Sequence, residues 1–161
     1  MIPQNETHKK FIGLVIEMAG ENALSLSGGP FAAIVVRNGE IVGKGTNKVT
    51  STNDPTAHAE VVAIRDACKN LGTFQISDCV LYTSCEPCPM CLGAIYWARP
   101  AQVFFAATQK EASAAGFDDS FIYQQIPLPY EQRSIPFINV KHQDFNKPFD
   151  LWVVNDKKTE Y

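Results

Sequence analysis

The stretch CVLYTSCEPCPMCLGAIYWARPAQVFFAA, residues 79–107, decides the architecture. CVLYT (79–83) is a short apolar run of strand type, and QVFFAA (102–107) is another. Between them, the pattern from about Pro87 to Ala98 reads as a helix that stops near Pro100. Strand, helix, strand in that order predicts a parallel pair joined by a right-handed crossover. The turn into this helix carries Cys85, Cys88 and Cys91, with Pro87 and Pro89 between them.

Upstream, residues 8–20 carry Phe11, Leu14, Val15 and Met18 at helical spacing. FAAIVVRNGEIVGKGTN (31–47) reads as two strands around Asn38-Gly39, a strong hairpin signal. NDPTAHAEVVAIRDACKNLG (53–72) predicts a helix capped by Asp54 with Pro55 in its first position. Its apolar stripe is Val61, Ile64, Cys68 and Leu71, and Gly72 ends it. Downstream, IPLPYEQRSIP (126–136) is a proline-rich connector, PFINV (136–140) a fifth strand and 146–157 a closing helix. No repeat or second domain is visible. The expectation is a single α/β domain over 1–161, a five-stranded mixed sheet with helices on both faces.

A chain of 161 residues buries a core without staples. MIPQNETHKK lacks the apolar centre of a signal peptide, and no apolar run is long enough to span a bilayer. These features predict a cytoplasmic protein, with no membrane partner, whose thiols stay reduced. Five cysteines, three of them clustered, then point to a metal or a catalytic thiol, not to disulfides. Cys68 and Cys79 stand apart and read as small core residues. Net charge is −3, and the longest basic runs are the pairs Lys9-Lys10 and Lys157-Lys158. No phosphate-gripping patch is legible, so nucleic acid is not an expected partner.

Two helices are expected to begin at one edge of the sheet, one near His58 and one near Cys88. Ligands of α/β proteins gather there, beyond the strand carboxyl ends. Cys88 and Cys91 share a face of the first turn, and with one imidazole they form a soft, tetrahedral donor set that suits zinc. The plain alternative is a closed structural site with Cys85 as fourth ligand. Glu60 tips the balance, because an open site needs a proton acceptor beside its water. Residues two apart diverge on a helix, so His58 and Glu60 converge only if the metal lies near the helix end. His8 and His142 have no neighbours suggesting ligation and read as surface residues.

HAE followed by PCPMC is the His-x-Glu, Pro-Cys-x-x-Cys signature of zinc deaminases. Together with LYTSCEPCPMCLGAIYWARP, AGFDDSFIY, GGPFAAIVV, Asn47 and the terminal EY, it resembles the bacterial guanine deaminases of the cytidine deaminase-like fold, over nearly the whole chain. The resemblance implies a three-layer α/β/α fold with one Zn2+ per chain on His58, Cys88 and Cys91. It implies hydrolysis of a small purine base, guanine, to xanthine and ammonia, with Glu60 moving the water's proton. The alternatives are a deaminase of tRNA adenosine, of cytosine or of another aminated ring, since NDPTAHAEVVAIRDACKNLG and LYTSCEPCPMCLGAIYWARP are shared in looser form with tRNA adenosine and cytosine deaminases. A further alternative is a zinc-stabilised interaction domain without activity, against which Glu60 argues. The resemblance also implies that Asn47 and Asp119 contact the base, that Asp119 is also a candidate for moving protons to the leaving amine, that Phe31 and Trp97 wall the ring, and that Tyr161 caps the pocket. It further implies a homodimer that exchanges a C-terminal segment of about 137–161. A flat ring bearing donors and acceptors independently suits aromatic walls and Asn or Asp readers. Phe31 also reads as strand core, and Asn47 as a turn residue. Asp118 and Asp119 both read as caps of a helix starting near Ser120, and only the resemblance selects Asp119.

Overall fold

The computed structural model describes residues 6–161. The first five residues, where the reading of a missing signal-peptide core begins, lie outside them. The chain divides into two compact units, one ending at Ser120 and one spanning Phe121–Tyr161.

The first unit opens with α1 (Glu6–Leu24), followed by β1 (Ala32–Arg37) and β2 (Glu40–Thr46). Asn38 and Gly39, with φ of 51° and 83°, form the hairpin turn between these strands. A short α2 (Val49–Thr52) precedes α3 (Ala59–Leu71). The crossover unit is β3 (Val80–Cys85), α4 (Pro89–Ala98) and β4 (Gln102–Ala107), and α5 (Gln109–Ala114) follows. The sheet order is β2-β1-β3-β4. β1 is antiparallel to both its neighbours, and β3 and β4 are parallel, as the strand–helix–strand order requires.

β1 is buried on both faces, which is why its sequence is apolar without alternation. Ala33 and Val35 join Ala63, Ile64, Ala67, Leu81 and Ile95 in the core between the sheet and α3 and α4. Ala32, Ile34 and Val36 face the other way, onto Phe11, Val15, Ala19 and Tyr82. The unit is therefore three-layered. Ile34, Leu81 and Val15 are fully enclosed, and each contributes about 1.5–3 kcal/mol by burial. Cys79 lies in the core and Cys68 packs against its edge.

The seam between α3 and β2 departs from the expected Val61-Ile64-Cys68-Leu71 stripe. Ala59, Ala63 and Ala67 form the innermost line of α3, facing Gly43 and Gly45 of β2. A Cβ on either glycine would collide with the α3 backbone, so the helix lies unusually close to the strand. That approach fixes where α3 begins and hence where His58 and Glu60 lie.

The second unit contains α6 (assigned Ser120–Gln125), a 3-10 turn at Tyr130–Gln132 and α7 (Lys147–Val153). Residues 136–140 are not a strand, so the described residues form four strands where five were expected. The reason is local. Arg133 donates to the carbonyls of Leu128 and Ile126, and its guanidinium lies 4.8 Å and 5.0 Å from the ring centres of Tyr130 and Phe137. The connector is braced on itself, and the strand-like run beyond it has no ladder partner among the described residues. No helix among the described residues is long and apolar enough to cross a membrane.

Candidate metal centre and active-site cavity

α3 starts later than its sequence suggests. Asp54 does not cap it: its Oδ1 accepts from the Thr56 backbone N–H (2.8 Å) and hydroxyl (2.7 Å), closing a turn before the helix. Those two bonds hold the Asp54 carboxyl below its usual range. The N-cap is His58, with extended φ, ψ of −69°, 153°. His58 therefore stands outside the helix while Glu60 lies in its first turn. The divergence expected of residues two apart on a helix does not arise.

α4 repeats this design. Cys88 is the N-cap (φ −64°, ψ 168°), Pro89 follows, and Cys91 points inward from the first turn. His58 Nδ1 lies 3.5 Å from Cys88 Sγ and 3.6 Å from Cys91 Sγ. The donor atoms of the three residues all lie within 4.8 Å of one another. A zinc ion about 2.05 Å from nitrogen and about 2.3 Å from sulfur, at tetrahedral angles, would separate N from S by about 3.6 Å. The donor set fits zinc in chemistry and in spacing. Cys85 is not part of it. Its thiol donates to the Thr108 carbonyl (3.7 Å), and burial raises its pKa to about 11. Three protein ligands leave the fourth position open.

The electrostatics follow from this crowding. The Cys91 thiol beside it, with His58, lowers the pKa of Cys88 to about 4, and the same contact raises that of Cys91. A metal takes both sulfurs as thiolates, so its binding would release the remaining thiol proton. His58 is raised by its bond to Cys88. Glu60 is raised by burial, and its Oε2 accepts from Cys91 Sγ at 3.4 Å.

These groups border a cavity of 280 Å³, with His58, Glu60, Cys85 and Cys88 on its wall. Phe31, Asn47, Asp118 and Asp119 line it as well. The Asn47 Oδ1 accepts from Gly29 N and Val49 N, each at 3.3 Å, leaving Nδ2 as the end of the amide that can donate to a ligand. Asp118 Oδ1 accepts from Ser120 N (3.0 Å), so Asp118 caps the following helix. Asp119 Oδ1 instead accepts from Gln109 Nε2 (2.6 Å). Trp97 does not line the cavity. Cys91, Ile95 and Ala98 form the inner face of α4, and Trp97, about 200° around the helix from Ile95, is 63% exposed. Tyr161 belongs to the C-terminal unit.

Several lining or supporting residues escape a reading of the sequence. Phe117 meets Phe31 edge-on, with ring centres 4.9 Å apart, making the aromatic wall. Its only signal is its place in the GFDDSFIY motif. Asn22 is buried at the end of α1, and its Nδ2 donates to Gly29 O (2.8 Å) and Asn47 O (3.0 Å). A Cβ on Gly28 would collide with the Asn47 carbonyl, so this loop lies flat against Asn47. Glu86 and Gln109 also line the cavity.

Comparison with known proteins agrees with this geometry. Residues 5–107 match the family model described as the cytidine and deoxycytidylate deaminase zinc-binding region. The chain is 54% identical over 154 residues to guanine deaminase of Bacillus subtilis (strain 168), covering 96% of this chain and 99% of that protein. It is 45% identical over 82 residues to a tRNA-specific adenosine deaminase of Aquifex aeolicus (strain VF5), covering 51% and 54% of the two chains. The crystal structure of the Bacillus subtilis guanine deaminase superposes with a TM-score of 0.94 at 55% identity, over 96% of this chain and 98% of that one. A guanine deaminase structure from Nitrosomonas europaea gives 0.65 at 34% identity, over 75% and 66%. Open histidine–dicysteine spacing, a buried glutamate beside it and a family match spanning both together place this chain in the cytidine and deoxycytidylate deaminase zinc-binding family.

Proposed function

We infer that this chain is a zinc-dependent aminohydrolase converting guanine and water to xanthine and ammonia. The observation that carries the reading is the extent of the likeness. It runs over 96% of this chain for the Bacillus subtilis guanine deaminase, against 51% for the Aquifex aeolicus tRNA-specific adenosine deaminase. The cavity supports a free base. Among the described residues no Lys or Arg lines it, whereas Glu60, Glu86, Asp118 and Asp119 do, which disfavours a phosphate-bearing substrate. Its 280 Å³ falls below the range of about 300–1,000 Å³ that holds drug-sized ligands, and suits a single purine.

His58, Cys88 and Cys91 would hold one Zn2+, which supplies Lewis acidity toward water and the ring. In the balanced reaction a water oxygen bonds C2 and the C2–amine bond breaks. One water proton ends on ring N3, and the other leaves with ammonia. Glu60 accepts the proton of the attacking water and delivers it to the ring, since burial raises its affinity for that proton. We assign Asp119 to proton transfer at the leaving amine, the Asn47 amide to an acceptor on the base edge, and Phe31 to stacking on the ring.

We further propose a cytoplasmic homodimer in which a segment of about 137–161 is exchanged and Tyr161 serves the partner's site. Ile138 (80% exposed) and Val140 (83% exposed) form a strand-like run that asks for an edge to pair with. Trp97, turned outward, is then a candidate for an intersubunit contact. The test is ammonia release from guanine, cytosine, adenosine and a tRNA anticodon stem-loop, with light scattering on the same preparation. Guanine should be turned over best, with little dependence on salt, and the mass should be that of a dimer. Better turnover of the stem-loop sinks the substrate reading. A monomer sinks the exchange.

A further inference from the structure

We propose that Gln109 is a positioning residue for Asp119, and that Glu86 ties it to the metal-binding turn. This rests on the assignment of Asp119 above and adds what holds that carboxylate in place.

Three bonds join the turn before Cys88 to the corner between β4 and α5. Glu86 N donates to Ala107 O (2.8 Å), the Cys85 thiol to Thr108 O (3.7 Å), and Gln109 N to Glu86 Oε2 (2.9 Å). The corner is also closed from within. Thr108 N donates to Glu111 Oε2 (2.8 Å), and the Thr108 hydroxyl bonds the same carboxylate in a capping box. The backbone of Gln109 is thus fixed on both sides. From this anchor its side chain reaches ten residues along the chain and donates Nε2–H to Asp119 Oδ1 at 2.6 Å, a short, charge-assisted bond. Asp119 lies on the loop that leaves α5 through Gly116, whose φ is +93°. With Oδ1 held by Gln109, the orientation of the carboxylate is set and Oδ2 is the oxygen left for a ligand. Gln109 suits this task because its amide is a donor without charge. It fixes the carboxylate without adding a cation to a cavity lined by acids.

The consequence is a connected chain from the cysteine turn through Glu86 and Gln109 to Asp119. Holding a reacting group in a productive orientation lowers the barrier and leaves ground-state binding nearly unchanged. The purified zinc-loaded protein tests this with guanine as substrate. Gln109→Leu should lower kcat at least tenfold and change KM by less than threefold, with one zinc per chain and xanthine affinity within threefold of wild type. Gln109→Glu, which sets an oxygen against the carboxylate, should lose more. Gln109→His, which returns a neutral N–H donor, should recover part of the lost kcat. In the Asp119→Ala background Gln109→Leu should cost nothing further, because its route of action is already gone. Wild-type kcat in Gln109→Leu overturns the proposal, and so do losses that multiply in the double variant. Loss of zinc or of folding in Gln109→Leu, with kcat per zinc unchanged, also overturns it and makes the residue structural. If Asp119→Ala itself turns over guanine at the wild-type rate, the assignment of Asp119 fails first, and that outcome is separate from the others.

Discussion

The two walls of the cavity are built by different means. On the metal side, His58 and Cys88 occupy the N-caps of α3 and α4, and Glu60 and Cys91 the first turns behind them. Each side chain is aimed by the helix it begins, and the helices are locked to the sheet by buried seams such as Gly43 and Gly45 against Ala63. On the ring side, Phe31, Asn47 and Phe117 come from strand ends and loops, aimed by hydrogen bonds to the Asn47 amide and one aromatic contact. The first wall carries chemistry shared by a family, and rigid elements hold it to the tolerance that chemistry needs. On the proposed reading the second carries recognition, and it is built on loops, which tolerate change better than helices and strands do. Damage to the first wall should therefore act on metal or kcat, and damage to the second on binding.

The largest effect belongs to the ligands. Cys88→Ala or Cys91→Ala should lose the zinc and, with it, all measurable turnover, whereas Cys85→Ser keeps one zinc per chain by metal analysis. The Cys85 thiol sits 3.7 Å from a carbonyl it can donate to, and a serine hydroxyl can make the same bond. If Cys85→Ser loses the metal, the site is closed and the two walls do not divide the work as argued.

Glu60→Gln comes next. It keeps shape and zinc but has no carboxylate to accept the water's proton, so kcat should fall by about 10²–10⁴ with KM little changed. The variant also removes an ionisable group from a buried position, so it should be at least as stable to urea as the wild type. Turnover within tenfold of wild type would move the general base to another residue, with Asp119 first in line.

The same division explains what a reading of the sequence reaches. The metal wall is legible because His-x-Glu and Pro-Cys-x-x-Cys are short-range patterns, and a helix start turns short-range spacing into geometry. Even there Asp54 misleads. As a cap it is as good as any, and only its bonds to Thr56 show that the helix begins four residues later, with His58 as its cap. Trp97 was within reach of pattern alone, since the spacing of Cys91, Ile95 and Ala98 sets the phase of α4 and turns residue 97 outward. Residues 136–140 have the composition of a strand, but composition cannot name a partner, and this stretch has none in the sheet. Asp118 and Asp119 are alike in sequence, and the contacts with Ser120 and Gln109 separate them. Asn22 leaves no local trace at all. It lies 25 residues from Asn47 in sequence, and its role exists only once α1 has packed.

Asn22 therefore offers the sharpest test of the second wall, with the smallest effect on turnover. Its amide satisfies the carbonyls of Gly29 and Asn47 at once, inside the protein. Asn22→Leu leaves both oxygens without that donor, and an unsatisfied buried polar group costs about 1–3 kcal/mol. The loop through Gly28 would then loosen from Asn47, whose side-chain amide is itself held by Gly29. The expected outcome is a severalfold rise in KM for guanine, with kcat within about threefold and zinc unchanged, alongside a loss of stability of roughly 2–4 kcal/mol in urea. Gly28→Ala attacks the same contact from the other side, since its methyl would meet the Asn47 carbonyl, and it should raise KM in the same way. Both variants leave the metal wall untouched. A fall in kcat with KM constant in either would mean that the two walls are mechanically one, because a change confined to the Asn47 loop would then be felt at Glu60 and the zinc.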